Sequence, residues 1–180
     1  MKKYNCIFLD RDGTINPDSG YIKNLEEFQF YSFAIKSLIK LAINGNRFCI
    51  VSNQSGISRG LIIQHDLDEI HSYIRSEFLK YKIPLLDIFI ATDHPLKPTN
   101  RRKPGSGMFL EAKKKYDINL KKSLMIGDSY VDMESAKLLG MDNMLVLTGL
   151  GNKTLSSISK QDWPTYVVKD ISNGADILCQ

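Results

Sequence analysis

Apolar residues along this chain fall into two alternating patterns, short unbroken runs and runs with helical spacing. Cys6, Ile7, Phe8 and Leu9 predict a buried strand, followed by a loop rich in glycine, asparagine, proline and aspartate over 13–20. Phe33, Leu38, Ile39, Leu41 and Ala42 predict a helix that stops near Gly45. Residues 47–51 predict a second strand, and Leu67, Ile70, Ile74 and Phe78 a helix with Asp66 as its N-cap. A third strand is expected over 87–91, before a proline- and arginine-rich loop over 93–107. Met108, Phe109, Ala112 and Tyr116 mark a third helix, and 123–126 a fourth strand. Met133, Ala136 and Leu139 give a fourth helix ending at Gly140. Strands over 144–147 and, more weakly, 166–168 follow, and a short helix closes the chain.

Strands alternating with helices predict an α/β fold, a parallel sheet covered on both faces. Such sheets bind ligands beyond the carboxyl ends of their strands, where the strand order reverses. Residues with chemistry are therefore expected just after strands. No internal repeat, low-complexity tract or linker divides the sequence, so one domain over 1–180 is expected.

Composition narrows this picture slightly. The 180 residues are 43% hydrophobic and 24% charged, with a formal net charge of +4. That is enough chain for a full core and far from the basic signature of a nucleic-acid binder. Cys6, Cys49 and Cys179 form no CxxC pair; Cys6 and Cys49 lie in apolar runs and are expected to be buried inert thiols, and free thiols point to a reducing compartment. No apolar stretch approaches a membrane span, and the N-terminus runs into a strand pattern instead of a signal peptide, so the expected location is the cytoplasm.

Four stations carry the candidate chemistry. The first strand ends in Asp10-Arg11-Asp12-Gly13-Thr14. Carboxylates two residues apart on extended chain share one side, close enough to meet one metal and one substrate. A carboxylate can attack phosphorus to form an acyl phosphate, and a second can move the protons. An acidic turn is the plain alternative for this pair alone. The second strand ends in Ser52-Asn53-Gln54-Ser55-Gly56, neutral donors suited to phosphate oxygens or to an ordinary helix cap. After the third strand, Lys103 offers charge to a phosphoryl group, and Arg102 a planar fork for a second anion. The fourth strand ends in Gly127-Asp128-Ser129-Tyr130-Val131-Asp132. Asp128 is placed to ligate magnesium, with Asp132 as a cap or an outer partner.

Together DRDGT, SNQ, KP and GDxxxD resemble the four motifs of the haloacid dehalogenase phosphatase superfamily. The resemblance implies a doubly wound parallel sheet, Asp10 as nucleophile and Asp12 as general acid/base. It also implies Ser52 and Lys103 on the phosphoryl group. Mg2+ would sit on the Asp10 carboxylate, the Asp12 carbonyl and Asp128. Phe8–Asn16, Gly20-Tyr21, Phe28-Gln29-Phe30, Ser52–Gly60 and Arg102-Lys103-Pro104 further resemble the heptose 1,7-bisphosphate 7-phosphatase family. There the positions matching Asp18, Gly20 and Tyr21, and Ser52, Asn53, Gln54 and Ser55, touch substrate, and Arg102 aids recognition. Histidinol-phosphate phosphatases share the four motifs but usually lack the SGIxRG continuation, and are the alternative, with a phosphatase of another small sugar phosphate after them. A non-catalytic phosphate-binding scaffold is a more distant one, disfavoured because Asp10, Asp12, Lys103 and Asp128 are all present.

Two departures stand out. That family commonly holds zinc on three cysteines and a histidine in the loop after the third strand. Here 92–102 keeps His94 and has no cysteine, so no structural zinc is expected. Ser129 stands where relatives often carry a substrate-contacting lysine. The spacing of the motifs leaves no room for a large cap domain. The expected partner is a small phosphorylated sugar, with no nucleic acid or membrane, and the chain is expected to be a monomer.

Overall fold

In the computed structural model, which describes residues 2–180, the apolar runs become six parallel strands. They are β1 (Ile7–Leu9), β2 (Phe48–Asn53), β3 (Leu85–Ala91), β4 (Leu124–Gly127), β5 (Asp142–Val146) and β6 (Tyr166–Val168). Their order is β3-β2-β1-β4-β5-β6, so the winding reverses between β1 and β4. The central strands are apolar on both faces because helices cover both. Ile7, Leu9, Phe48, Ile50, Leu124 and Ile126 pack against α1 (Ala34–Ile43), α2 (Gln64–Lys80) and α6 (Ile171–Leu178). The alternate residues Phe8, Cys49, Val51 and Met125 face α3 (Gly107–Tyr116) and α4 (Tyr130–Leu139). Each fully buried Leu, Ile or Phe contributes roughly 1.5–3 kcal/mol. The doubly wound sheet and the absence of a large inserted cap among the described residues agree with the sequence reading.

The differences are local and have physical causes. α2 begins at Gln64 with Ile63 at its N-cap, so Asp66 is not the cap but lies in the first turn, where its charge still favours the helix N-terminus. β2 continues to Asn53 because Ser52 and Asn53 pair in register with Ile90 and Ala91. A helix absent from the sequence reading, α5 (Gly151–Ser157), follows β5. Its mostly polar sequence has no apolar periodicity. At the edge strand β3, Asp87 accepts bonds from Arg75 (2.5 Å), Lys115 (2.8 Å) and Tyr116 (3.0 Å). Burial alone would raise its carboxyl, but these donors hold it below the usual range and blunt the open edge.

Candidate active site

The carboxyl ends of β1, β2 and β4 meet at the reversal of strand order. Asp10 leaves β1 with its N–H bonded to the Ile126 carbonyl of β4 (2.9 Å), which fixes it at the seam. Lys103 is buried and reaches the same point from the loop after β3. Its Nζ donates to Asp10 Oδ1 (2.6 Å) and to the Val51 carbonyl (2.8 Å), and lies 2.6 Å from Asp132 Oδ1. Burial opposes a charge on this lysine, but the two carboxylates outweigh it and raise its pKa. The lysine backbone is held as firmly: its N–H donates to Asn53 Oδ1 (3.0 Å), and Asn53 Nδ2 donates to its carbonyl (3.1 Å).

Asp132 serves two partners. Its Oδ2 accepts from the N–H (3.1 Å) and hydroxyl (2.5 Å) of Ser129, closing a capping box at the start of α4, while Oδ1 holds Lys103. Ser129, not Asp132, is therefore the N-cap. Breaking a buried ion pair on one side costs about 3–5 kcal/mol. Asp132→Ala is expected to lower stability by an amount of that order and to slow turnover through loss of lysine alignment. Chemical denaturation beside steady-state rates checks both.

Asp128 sits in a glycine cradle. A Cβ at Gly13 or Gly149 would lie 2.1 Å from Asp128 Oδ2, so neither position tolerates a side chain without a shift. Gly13 also has φ +82°, a backbone conformation that favours glycine. The Leu150 N–H donates to Asp128 Oδ2 (2.7 Å) and the Thr154 hydroxyl to its carbonyl (2.9 Å). Burial first, then Asp132, push the Asp128 carboxyl up to about 7. Burial, with Asp132 and Asp128, likewise raises Asp10 despite Lys103. One buried lysine thus faces three acids whose oxygens lie within 4.8 Å of one another, an excess of negative charge that suits a hard divalent cation.

Asp12 is held differently. The buried Arg11 fork donates to both its oxygens, Nε to Oδ1 (3.0 Å) and Nη2 to Oδ2 (2.9 Å). Asn16 Nδ2 (2.9 Å) and Gln54 Nε2 (2.9 Å) donate to it as well. Burial alone would raise the Asp12 carboxyl, but Arg11 and these donors lower it below its ordinary value. Asp12 therefore rests as an anion.

A cleft of about 460 Å³ opens over this centre. Its lining includes Asp10, Asp12, Asp18, Gly20, Tyr21, Ser52, Asn53, Arg102, Lys103 and Asp128, all expected from the sequence. Gln54 and Ser55 are not part of the lining. Gln54 turns inward, donating to Asp12 and to Ser52 Oγ (2.7 Å) while accepting from Arg11 (3.3 Å). The buried Ser55 offers its carbonyl to Ser58 Oγ (3.1 Å) and Arg59 N–H (3.1 Å). His94 accepts the Leu96 N–H at Nδ1 (3.2 Å), a contact within its own loop. Sequence reasoning missed Arg11, Gly149, Leu150 and Thr154. For Gly149 and Leu150, the signal was the Thr-Gly-Leu-Gly run over 148–151, just beyond β5.

A reversed parallel sheet with two aspartates after β1, a buried lysine after β3 and an aspartate after β4 defines a haloacid dehalogenase-like phosphatase. Residues 100–173 match the HAD-hydrolase-like family model. The D-glycero-beta-D-manno-heptose-1,7-bisphosphate 7-phosphatase of Photorhabdus laumondii is 35% identical over 152 residues, covering 80% of this chain and 81% of that one. The D-glycero-D-manno-heptose-1,7-bisphosphate 7-phosphatase of Thermosynechococcus vestitus is 29% identical over 186 residues, covering 97% and 95%. The crystal structure of D,D-heptose 1,7-bisphosphate phosphatase from B. bronchiseptica, complexed with magnesium and phosphate, superposes with a TM-score of 0.87 at 30% identity, covering 99% and 98%. This chain belongs to the heptose-1,7-bisphosphate 7-phosphatase family of phosphoric monoester hydrolases.

Proposed function

We propose that the chain removes the 7-phosphate of D-glycero-D-manno-heptose 1,7-bisphosphate, carrying the phosphoryl group on Asp10. The observation behind this reading is the layout of the cleft, with the Asp10–Lys103 pair (2.6 Å) as one anion site and Arg102 and Tyr21 also on its lining. One phosphate can meet the acid–lysine pair while the other is read along the wall.

An Asp10 oxygen attacks phosphorus, and the phosphorus–oxygen bond to the sugar breaks. Asp12 delivers a proton to the leaving sugar oxygen, so it must first take one up as substrate enters. Its resting anion suits the second half, in which it removes a proton from the water that attacks the acyl phosphate. Inorganic phosphate leaves and Asp10 is regenerated. Lys103, kept cationic by Asp10 and Asp132, offsets the negative charge of the phosphoryl oxygens, and Ser52 donates a hydrogen bond to them. Asp10, Asp128 and the Asp12 carbonyl would hold magnesium, whose chemistry when bound is to neutralise and orient phosphoryl oxygens. Every residue in this scheme comes from one chain, so a monomer suffices.

Phosphate release across heptose 1,7-bisphosphate, heptose monophosphates and histidinol phosphate tests the substrate. Faster hydrolysis of histidinol phosphate than of the bisphosphate would overturn this reading. Metal dependence gives a separate check. Activity is expected to require magnesium and to be inhibited by calcium, whose looser shell disturbs in-line geometry. Elemental analysis is expected to find no stoichiometric zinc, because 92–102 supplies no thiolate. One tightly held zinc per chain would contradict that.

A further inference from the structure

The SGISRG run over 55–60 has no part in the phosphoryl chemistry above, yet it makes a specific contact with the cleft. Tyr21, on the cleft lining, leans on this turn from the loop after β1. Its phenol oxygen accepts a hydrogen bond from Arg59 Nη1, and the Arg59 guanidinium carbon lies 5.5 Å from the ring centroid. Gly56 forms the floor of the same contact. A Cβ there would stand 3.0 Å from Tyr21 Cδ1 and 2.6 Å from Ile62 Cδ1. Arg59 itself is exposed and absent from the cleft lining.

Both sides of the contact are braced. The turn is closed by Arg59 N–H to the Ser55 carbonyl (3.1 Å) and Leu61 N–H to the Gly56 carbonyl (2.8 Å). On the other side, Asp18 Oδ1 accepts the Gly20 N–H (2.9 Å), and Gly20 has φ +96°, which shapes the loop that presents Tyr21. Without Arg59 the tyrosine would keep its packing on Gly56 but lose the charge and the hydrogen bond that fix its direction. A ring free to turn has to be ordered by the substrate on binding, which weakens binding without touching the reacting atoms.

We propose that Arg59 is a positioning residue that locks Tyr21 into the substrate-facing wall, joining the 17–23 loop and the 55–62 turn into one recognition unit. The inference rests on the bisphosphate reading above, because a wall that reads the distal part of the substrate is where such a lock matters.

The test is a mutant cycle on steady-state parameters, with melting temperatures recorded for each variant. Arg59→Ala is expected to raise KM for heptose 1,7-bisphosphate about three- to tenfold, with kcat within about twofold of wild type. Its KM for 4-nitrophenyl phosphate, a small ester that does not reach along the wall, is expected to stay unchanged. Arg59→Lys restores the charge and one donor and is expected to recover most of the affinity. In a Tyr21→Phe background, where the phenol acceptor is gone, Arg59→Ala is expected to add less than about twofold. An unchanged KM in Arg59→Ala overturns the lock, as does full additivity in the double variant. Wild-type enzyme without a preference for the bisphosphate instead overturns the substrate reading. The same cycle run on the best substrate of the panel then decides the lock independently.

Discussion

Asp10→Asn is expected to abolish phosphate release, by at least about four orders of magnitude, which is the scale for removing a covalent nucleophile. The amide is close to isosteric, so Lys103 and the Ile126 carbonyl bond keep the site assembled while the attacking oxygen is lost. The variant is also expected to resist capture by a phosphoryl analogue such as beryllium trifluoride, read by mass spectrometry under native conditions. Asp12→Asn is the informative partner. It is expected to slow turnover by about a hundred- to ten-thousandfold while part of the magnesium affinity survives, because the backbone carbonyl remains. Turnover by Asp10→Asn at more than about one per cent of wild type, by the same rate scale, would sink the covalent scheme.

Arg102→Ala is expected to erase most of the preference for the bisphosphate over monophosphates. Wild type should show that preference at about ten- to a hundredfold in kcat/KM, since a charge-assisted hydrogen bond contributes roughly 1.5–3 kcal/mol. Arg102 adjoins Lys103 on the cleft lining, and among the described residues its guanidinium makes one hydrogen bond, a long one from Nη1 to the Asp93 carbonyl at 3.5 Å. The fork is thus available to an anion in a way that Arg11, spent on Asp12, is not. Small monophosphates should lose far less. A uniform slowing of every substrate by Arg102→Ala would place this arginine at the reacting phosphate instead. Ser129→Lys, which installs the lysine common in relatives, has two opposing effects. The new charge would face the cleft, but the change removes the hydroxyl that donates to Asp132 and so unsettles the lysine alignment. A rise in bisphosphate preference is expected only against a lowered kcat.

The chain's periodicity settled the architecture without help. Runs such as Cys6–Leu9, apolar on both faces, have no stable place except inside a sheet covered on both sides, and glycines at 45 and 140 end the helices before them. The positions of Asp10, Asp12, Lys103 and Asp128 were legible for the same reason. Each follows a strand, and the carboxyl ends of such strands converge at the reversal of order. The fates of other polar residues were decided only in three dimensions. Gln54 and Tyr21 both read as substrate contacts in the sequence, yet one turns inward to Asp12 and Ser52 while the other lines the cleft. Asp132 read as a cap or an outer partner, and it is both a capping-box acid and the second anchor of Lys103. α5 lacked any apolar repeat to announce it, and its Thr154 hydroxyl bonds the Asp128 carbonyl. Periodicity records how deeply a position is buried. It does not record which donor a buried oxygen meets, because that partner comes from a distant segment and is chosen by distances fixed only when β1, β2 and β4 lie side by side.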